Sequence, residues 1–318
     1  MLQIFYQHAR SREAKLQVAL AEIPYLKNRL MIDHEYERGN KHSSSRMGEQ
    51  YYDTQKFILK RLEAGIKRRI GEIKKQRVKL RSSRKESEIC TVAVIGYTNC
   101  GKTSLIKALT GDKDLVPRDQ LFATLDVTCH GTKLPGSNLE TVFIDTVGFI
   151  SDIPTPLIAS FSATLEDALD ADLLLHLVDF SHPDHPHQIS QVLATLAKLK
   201  IKQSDKRLIT VANKIDLVQQ DKWREISEQG YLPVSSVKSY GLEFLVKRIE
   251  KRLIEVSEMM ELKMRVVPGS EEWEWLRDHA AVGRIEHDTQ TDTNYNLVNI
   301  IISQSNFAKF KSRFLHHQ

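Results

Sequence analysis

The chain has 318 residues, 41% of them hydrophobic, and a formal net charge of +5, which predicts a folded, soluble protein with core enough for two or three domains. Its longest strongly apolar run, "LLLHLV" from Leu173 to Val178, falls far short of the roughly 18 to 20 residues of a membrane span, which argues against an integral membrane protein. Cys90, Cys100 and Cys129 lack metal-ligand spacing and are too few for a disulfide framework, so a reducing compartment is expected.

The opening "MLQIFYQHARSREAKLQVALAEIP" has early charges and no continuous apolar core, unlike a secretory signal. Its strand-like Leu2 to Tyr6 reads as an entry into the middle of a larger domain. From Ser11 to Leu30, the residues Leu16, Leu20, Ile23, Leu26 and Leu30 recur at helical spacing. After the polar break "ERGNKHSSSRMGE" a second stripe runs through Ile58, Leu62, Ile66, Ile70 and Ile73, so residues 1–88 are expected to hold an antiparallel helical hairpin. Between Lys56 and Lys85 lie thirteen basic residues against only Glu63 and Glu72. The resulting face, with Lys60, Arg61, Lys67, Arg68, Lys74, Lys75 and Arg81, is either a solvated helix surface or a footprint for the phosphate backbone of RNA.

Residues 89–256 change to short β-branched runs separated by helical stretches. "TVAVIG", "ETVFID", "LLLHLVD", "LITVANK" and "YLPVSS" read as buried strands. Helices are expected between them over 102–110, 157–169, 187–200, 221–228 and 241–254. The alternation predicts an α/β fold with a mostly parallel sheet, helices on both faces, and its chemistry at the carboxyl ends of the strands.

Three motifs fall at those ends. Gly96, Tyr97, Thr98, Asn99, Cys100, Gly101, Lys102 and Thr103 spell a phosphate-cradling loop between a strand and a helix. There backbone N–H groups and a helix N-terminus face phosphate, Lys102 would bridge the β- and γ-phosphates, and the Thr103 hydroxyl would ligate Mg²⁺. Asp145, Thr146, Val147 and Gly148 follow the second strand: Asp145 would hold the magnesium through water, and the Gly148 N–H would sense the γ-phosphate. Asn213, Lys214, Ile215 and Asp216 select the base, because Asp216 can accept from the ring N–H and exocyclic amine that guanine presents together. Ser235 and Ser236 then offer backbone donors to the guanine oxygen, with Val237 beside them among the expected nucleotide-binding residues. Phe149 stands where many signalling GTPases place a water-orienting glutamine, so slow intrinsic hydrolysis that waits for a partner is expected.

Weaker signals accompany them. Cys100 at a helix start invites a lowered thiol pKa, although a merely small residue is the plainer reading. His182, His185 and His187 hint at a metal tract, with a polar loop after a strand as the stronger alternative. Residues 257–318 read as a small α+β unit: "MELKMRVV", a helix "SEEWEWLRDH", "AVGRIEHD", a turn at "TQTD", "NYNLVNIIIS" and a short helix "NFAKFKSRF". Trp273 and Trp275, two apart on that helix, point to different sides, so one can lie in the core and the other at a contact surface, with the core as the favoured place for either.

The phosphate loop, "DQLFATLDVT" from Asp119 to Thr128, "DTVGF" and "LIASFSATLEDALDADLLLHLVDFSHP" together resemble the HflX-type GTPases, in particular their animal, mitochondrial branch. The likeness extends through "LQIFYQHARSREAKLQVALAEIPYL" and covers about residues 1 to 256. It implies an Mg²⁺-dependent GTPase, monomeric, acting on the large ribosomal subunit in splitting, recycling or assembly, in the mitochondrial matrix or alternatively the cytoplasm. By the same resemblance Phe122, Ala123, Thr124, Leu125 and Asp126 form a segment closing on the nucleotide, with Thr124 on Mg²⁺ beside Thr103; Lys102, Thr124 and Gly148 are the expected catalytic set. Asn99 matches a position where several potassium-activated GTPases hold a monovalent cation, which raises K⁺ stimulation as one reading, the other being an asparagine that only stabilises the loop. Two departures stand out: the family's first α/β domain has no counterpart here, and of its "GxGE" hairpin tip only Met47, Gly48 and Glu49 remain. The competing expectation is an RNA-binding or ribosome-assembly protein that holds GTP with negligible turnover.

Overall fold

The computed structural model describes residues 6, 7, 9, 11–39, 46–86, 88–115, 117, 127–149, 170–287 and 295–315. The predicted hairpin is present. Helix α1 (Arg12–Gly39) lies antiparallel to α2 (Arg46–Glu86), with Glu13 bonded to Arg77, Lys27 to Glu63 at 2.5 Å, and the His34 and Tyr52 rings stacked 4.1 Å apart. Of the strand-like start only Tyr6 is described, and it is helical.

The buried stripe differs from the predicted one. On α1 the inward residues are Ala14, Gln17, Val18, Ala21 and Ile23, so of the predicted stripe Ile23 is buried, Leu16, Leu20 and Leu30 are half-buried and Leu26 is exposed. On α2 the stripe runs through half-buried Leu59, buried Ile66 and half-buried Ile70 and Ile73, while Ile58 and Leu62 face solvent. Small side chains let two backbones close on one another, and the larger aliphatics are left on the rim. Pro24 lies inside α1 and does not end it, although a proline in a helix interior costs roughly 3 kcal/mol; the fully buried Ile23 beside it supplies packing that offsets part of that cost.

Six strands form the central sheet in the order β2-β3-β1-β4-β5-β6: β1 (Cys90–Gly96), β2 (Thr128–Lys133), β3 (Glu140–Asp145), β4 (Leu173–Asp179), β5 (Leu208–Asn213) and β6 (Leu232–Pro233). All pairs are parallel except β2 with β3. The five expected strands are there, and β2 is an edge strand that the sequence reading lacked. Val92, Val94, Leu175 and Leu177 pack on one face against α3 (Lys102–Thr110) and α6 (Leu242–Val256). Ala93, Ile95 and Leu174 pack on the other against α4 (His185–Lys198). A shorter helix, α5 (Lys222–Glu228), follows β5, and the helix expected over 157–169 lies outside the described residues.

The last part is a three-stranded antiparallel sheet, β7 (Met259–Val266), β9 (Asn296–Ser303) and β8 (Ala281–His287) in that order across the sheet. Helices α7 (Glu271–His279) and α8 (Gln304–Phe310) cover one face, with Leu276 and Phe310 against Val266, Val298, Ile300 and Ile302. Trp273 and Trp275 are both half-buried and pack against this cluster, in line with the favoured core reading for either. The "TQTD" turn lies outside the described residues. Ile301, Met259 and Ala281 join the core of the large sheet.

Two polar links join the two sheets, through Asn138 and through Glu88, and a third contact within the larger unit shapes the turn that carries Asn138. Glu250 Oε1 on α6 accepts from the Gly136 and Ser137 amides and the Ser137 hydroxyl, at 3.0, 2.9 and 2.9 Å, in the β2–β3 turn. Asn138 Nδ2 in the same turn donates to the Val282 carbonyl at 2.8 Å, and Ser303 Oγ donates to Glu88. Among the described residues no helix is long and apolar enough to cross a membrane.

Candidate nucleotide-binding site

The sheet delivers the predicted residues to one edge. β1 ends at Gly96, β3 at Asp145 and β5 at Asn213, and the three motifs begin there. The chain from Gly96 to Lys102 wraps around the start of α3, with Asn99 and Gly101 both left-handed at φ 61° and 96°. A side chain at Gly101 would be strained by that φ and would also meet Asn213 Nδ2 at 2.4 Å, so glycine is required twice over.

Lys102 is buried, and its ammonium donates to the carbonyls of Gly96 at 3.3 Å and Tyr97 at 3.0 Å, which sets a positive charge at the mouth of the loop. The Thr103 hydroxyl donates to Asp145 Oδ2 at 2.6 Å. The two residues expected around magnesium, 42 positions apart in sequence, are thus in direct contact. Asp145 is almost fully buried at 1% exposure, and a hydroxyl with a carboxylate is the hard oxygen donor set that Mg²⁺ takes. No cluster of three or more His, Cys, Asp or Glu able to hold a metal exists among the described residues. The histidine tract follows suit: His185 stacks on Phe180 and His182 Nδ1 accepts from the Asp184 amide.

The segment after β3 lies against the phosphate loop. Phe149 N donates to Gly96 O at 3.0 Å and Thr98 N to Phe149 O at 2.7 Å, so Phe149 pairs with Tyr97 like an added strand. Its ring is buried in the core under Ile95 and Ile144, out of the site. Thr146 Oγ1 donates to Val94 O at 2.7 Å, Val147 is buried, and Gly148 sits so close that an added Cβ would lie 2.8 Å from Thr98 Cα and 2.9 Å from the Lys102 ammonium.

Asn213 joins the base end to the phosphate end. Its Nδ2 donates to Cys100 O at 2.8 Å, and its Oδ1 accepts from Ser236 N and Oγ at 3.1 and 2.9 Å. Ser235 N donates to Tyr240 O, so the amides of Ser235 and Ser236 are both used inside the protein and exposed Val237 is next in line as a backbone donor. Asp216 is half-buried in a short 3₁₀ turn, Ile215–Leu217, and its carboxylate has no partner among the described residues. Burial pushes the Cys100 thiol pKa up, so the residue is packing and the lowered pKa is not found.

Two supporting residues lie outside the motifs. Trp223 Nε1 donates to Ile215 O and Val218 O, fixing the turn that carries Asp216, and Asp179 at the end of β4 pairs with Lys214 at 2.7 Å. An aspartate at the carboxyl end of a central strand is a signal that sequence alone offered for the second; nothing local marked the first. Residues 122–126, including Thr124, lie outside the described residues.

Known proteins share this layout. Residues 91–214 match the family described as 50S ribosome-binding GTPase, and residues 8–84 match the GTP-binding GTPase middle region. The chain is 39% identical over 317 residues to GTP-binding protein 6 of Homo sapiens, covering 99% of this chain and 60% of that protein. It is 35% identical over 293 residues to GTPase HflX of Caldanaerobacter subterraneus subsp. tengcongensis, covering 91% of this chain and 65% of that one. A crystal structure of SsGBP in complex with GDP superposes with a TM-score of 0.50 at 27% identity, covering 80% of this chain and 72% of that one. The chain therefore spans less than two thirds of the length of these curated relatives. With the phosphate loop, the magnesium pair and the guanine motif gathered at one sheet edge, and with these matches across hairpin and sheet, the chain belongs to the HflX-type GTPase family.

Proposed function

We propose that this chain binds GTP with Mg²⁺ and hydrolyses it to GDP and phosphate on the large ribosomal subunit, acting in ribosome splitting, recycling or assembly. The observation that carries the reading is the 2.6 Å contact of Thr103 with Asp145, joined through Asn213 to the guanine-selecting loop. In this reading Thr103 and Asp145 would hold Mg²⁺, with Thr124 added from the closing segment. Lys102 would hold the β- and γ-phosphates, the Gly148 amide would read the γ-phosphate, and Asp216 would read guanine. Bound Mg²⁺ would neutralise charge developing on the phosphates.

The buried Phe149 offers water no polar group, which supports slow turnover until a partner completes the site. The hairpin supports an RNA partner. Lys60, Arg61, Lys67, Arg68, Lys74 and Lys75 are exposed along α2, and Tyr25, Tyr36, Tyr51 and Phe57 stand out beside them. Cationic side chains with aromatic faces suit phosphates and unstacked bases. We place the protein in the mitochondrial matrix, with the cytoplasm as the alternative, and as a monomer. The potassium expectation rests on the identity of Asn99 alone, and equal turnover in KCl and NaCl would remove it.

The deciding measurement is the GTPase rate with no ribosomes and with purified large subunits from mitochondria or cytosol. Stimulation by one of them supports the reading. RNA binding with unchanged, negligible turnover would favour an assembly protein that keeps GTP as a structural ligand.

A further inference from the structure

Beside the guanine-selecting loop lies a carboxylate that belongs to none of the nucleotide motifs. Asp179 is the last residue of β4 and stands in register with Asn213 on β5, and the Phe180 amide donates to Asn213 O at 3.2 Å. The residue is 8% exposed. Its two oxygens have separate duties. Oδ1 accepts from the Ser181 amide and hydroxyl at 3.0 and 2.6 Å, which shapes the loop after β4. Oδ2 is turned the other way, 2.7 Å from the Lys214 ammonium.

Lys214 itself is unusual. It is a non-glycine residue with φ 60°, between buried Asn213 and buried Ile215. Left-handed backbone at a residue bearing a Cβ persists only where its surroundings hold it. A lysine stem is also long and mobile, and without an anchor it would sample many rotamers. The ion pair supplies that anchor from the strand next to the one that carries the motif. A purely structural role for Asp179 is already met by Oδ1 and Ser181; it leaves the Oδ2 contact without a purpose.

We propose that Asp179 is a positioning residue for guanine recognition: through its ion pair it holds the Lys214 stem in one conformation within the Asn213–Asp216 loop, so that the stem forms a ready-made wall for the base. This rests on the reading that the loop binds guanine nucleotides. Because the effect belongs to the base end, it should be felt equally by GTP and GDP and leave the chemistry at the phosphates untouched.

The test uses the full chain and titration with the fluorescent analogues mant-GDP and mant-GTP. Asp179→Asn should weaken both by about tenfold with their ratio unchanged, and raise KM for GTP by the same factor with kcat within about twofold. Lys214→Met, which keeps an apolar stem without the ammonium, should weaken binding similarly, and the double variant should be no worse than Lys214→Met alone. Ser181→Ala should lower Tm but leave affinity within about twofold. The proposal is overturned by additive losses in the double variant, by a loss confined to GTP, or by wild-type affinity in either single variant. Lys214→Met alone decides the matter if Asp179→Asn fails to fold. A wild-type chain unable to bind mant-GDP would overturn instead the guanine reading beneath it.

Discussion

At Gly148 a single methyl group has nowhere to go: Thr98 Cα and Cγ2 lie 2.8 Å from where a Cβ would sit. Gly148→Ala should therefore push the segment off the phosphate loop and cut turnover by about a hundredfold, since a displacement of about an ångström at a reacting centre costs that much; single-turnover assays with saturating GTP would check it. His176 offers a pH readout of the core. It sits inside β4 at 1% exposure, where burial pushes its pKa down to about 4 from the ordinary 6.5. The unfolded chain binds this proton more readily than the folded one, so stability should fall as pH drops from about 6.5 towards 4. Melting curves across that range should flatten in His176→Leu. Residues such as Lys102, Thr103 and Asp216 were legible in sequence because each sits in a contiguous motif with fixed spacing. Trp223 was not, and Asp179 was marked only by its place at a strand end, because their meaning comes from partners that the fold brings to them. The amides of Ser235 and Ser236 looked available for the same reason: sequence does not reveal that Tyr240 and Asn213 already use them.

Among the elements, the hairpin shows how far periodicity reaches. Two antiparallel helices were readable, and Ile23 of the expected stripe is buried, yet the rest of the inward face of α1 is made of Ala14, Gln17, Val18 and Ala21, most of which a search for large aliphatics passes over. Truncating Ile66 to alanine should cost about 2 to 4 kcal/mol, whereas Leu62→Ala should stay within about 0.5 kcal/mol, as urea unfolding would measure. Glu63 joins the helices through Lys27 and sits beside Lys67, and these partners hold its pKa at about 2, below the ordinary 4.5. Its folded form is the stronger acid, so the pairing contributes fully above about pH 4.5 and is lost as pH falls towards 2. Loss of helical circular dichroism in that window, diminished in Glu63→Gln, is the expected result. Strand β2 escaped notice because "TCHGTK" carries no apolar alternation. As the edge of the sheet it has only β3 for a neighbour, and its side chains are exposed or half-buried.

For the whole molecule, the junction between the two sheets matters most. Within the larger unit one carboxylate, Glu250, satisfies three donors of the β2–β3 turn and so holds Asn138 towards the smaller sheet; Glu250→Ala should lower the main melting transition by about 2 to 4 °C, as calorimetry would show. The α/β class and the smaller antiparallel unit were both readable from the change of pattern near residues 89 and 257. How they meet was not, since Asn138 with Val282 and Glu88 with Ser303 are pairs 144 and 215 positions apart. Such distances in sequence shape how the chain matures as it is synthesised. The hairpin and the phosphate loop are made early, but Glu88, which leads from one to the other, waits for Ser303 in the final strand. Ile301 fills the large core equally late. A nascent chain halted before β9 would carry its nucleotide motifs on an unfinished scaffold, so competence to bind should emerge late in translation and slowly on refolding, as expected for contacts of high sequence separation.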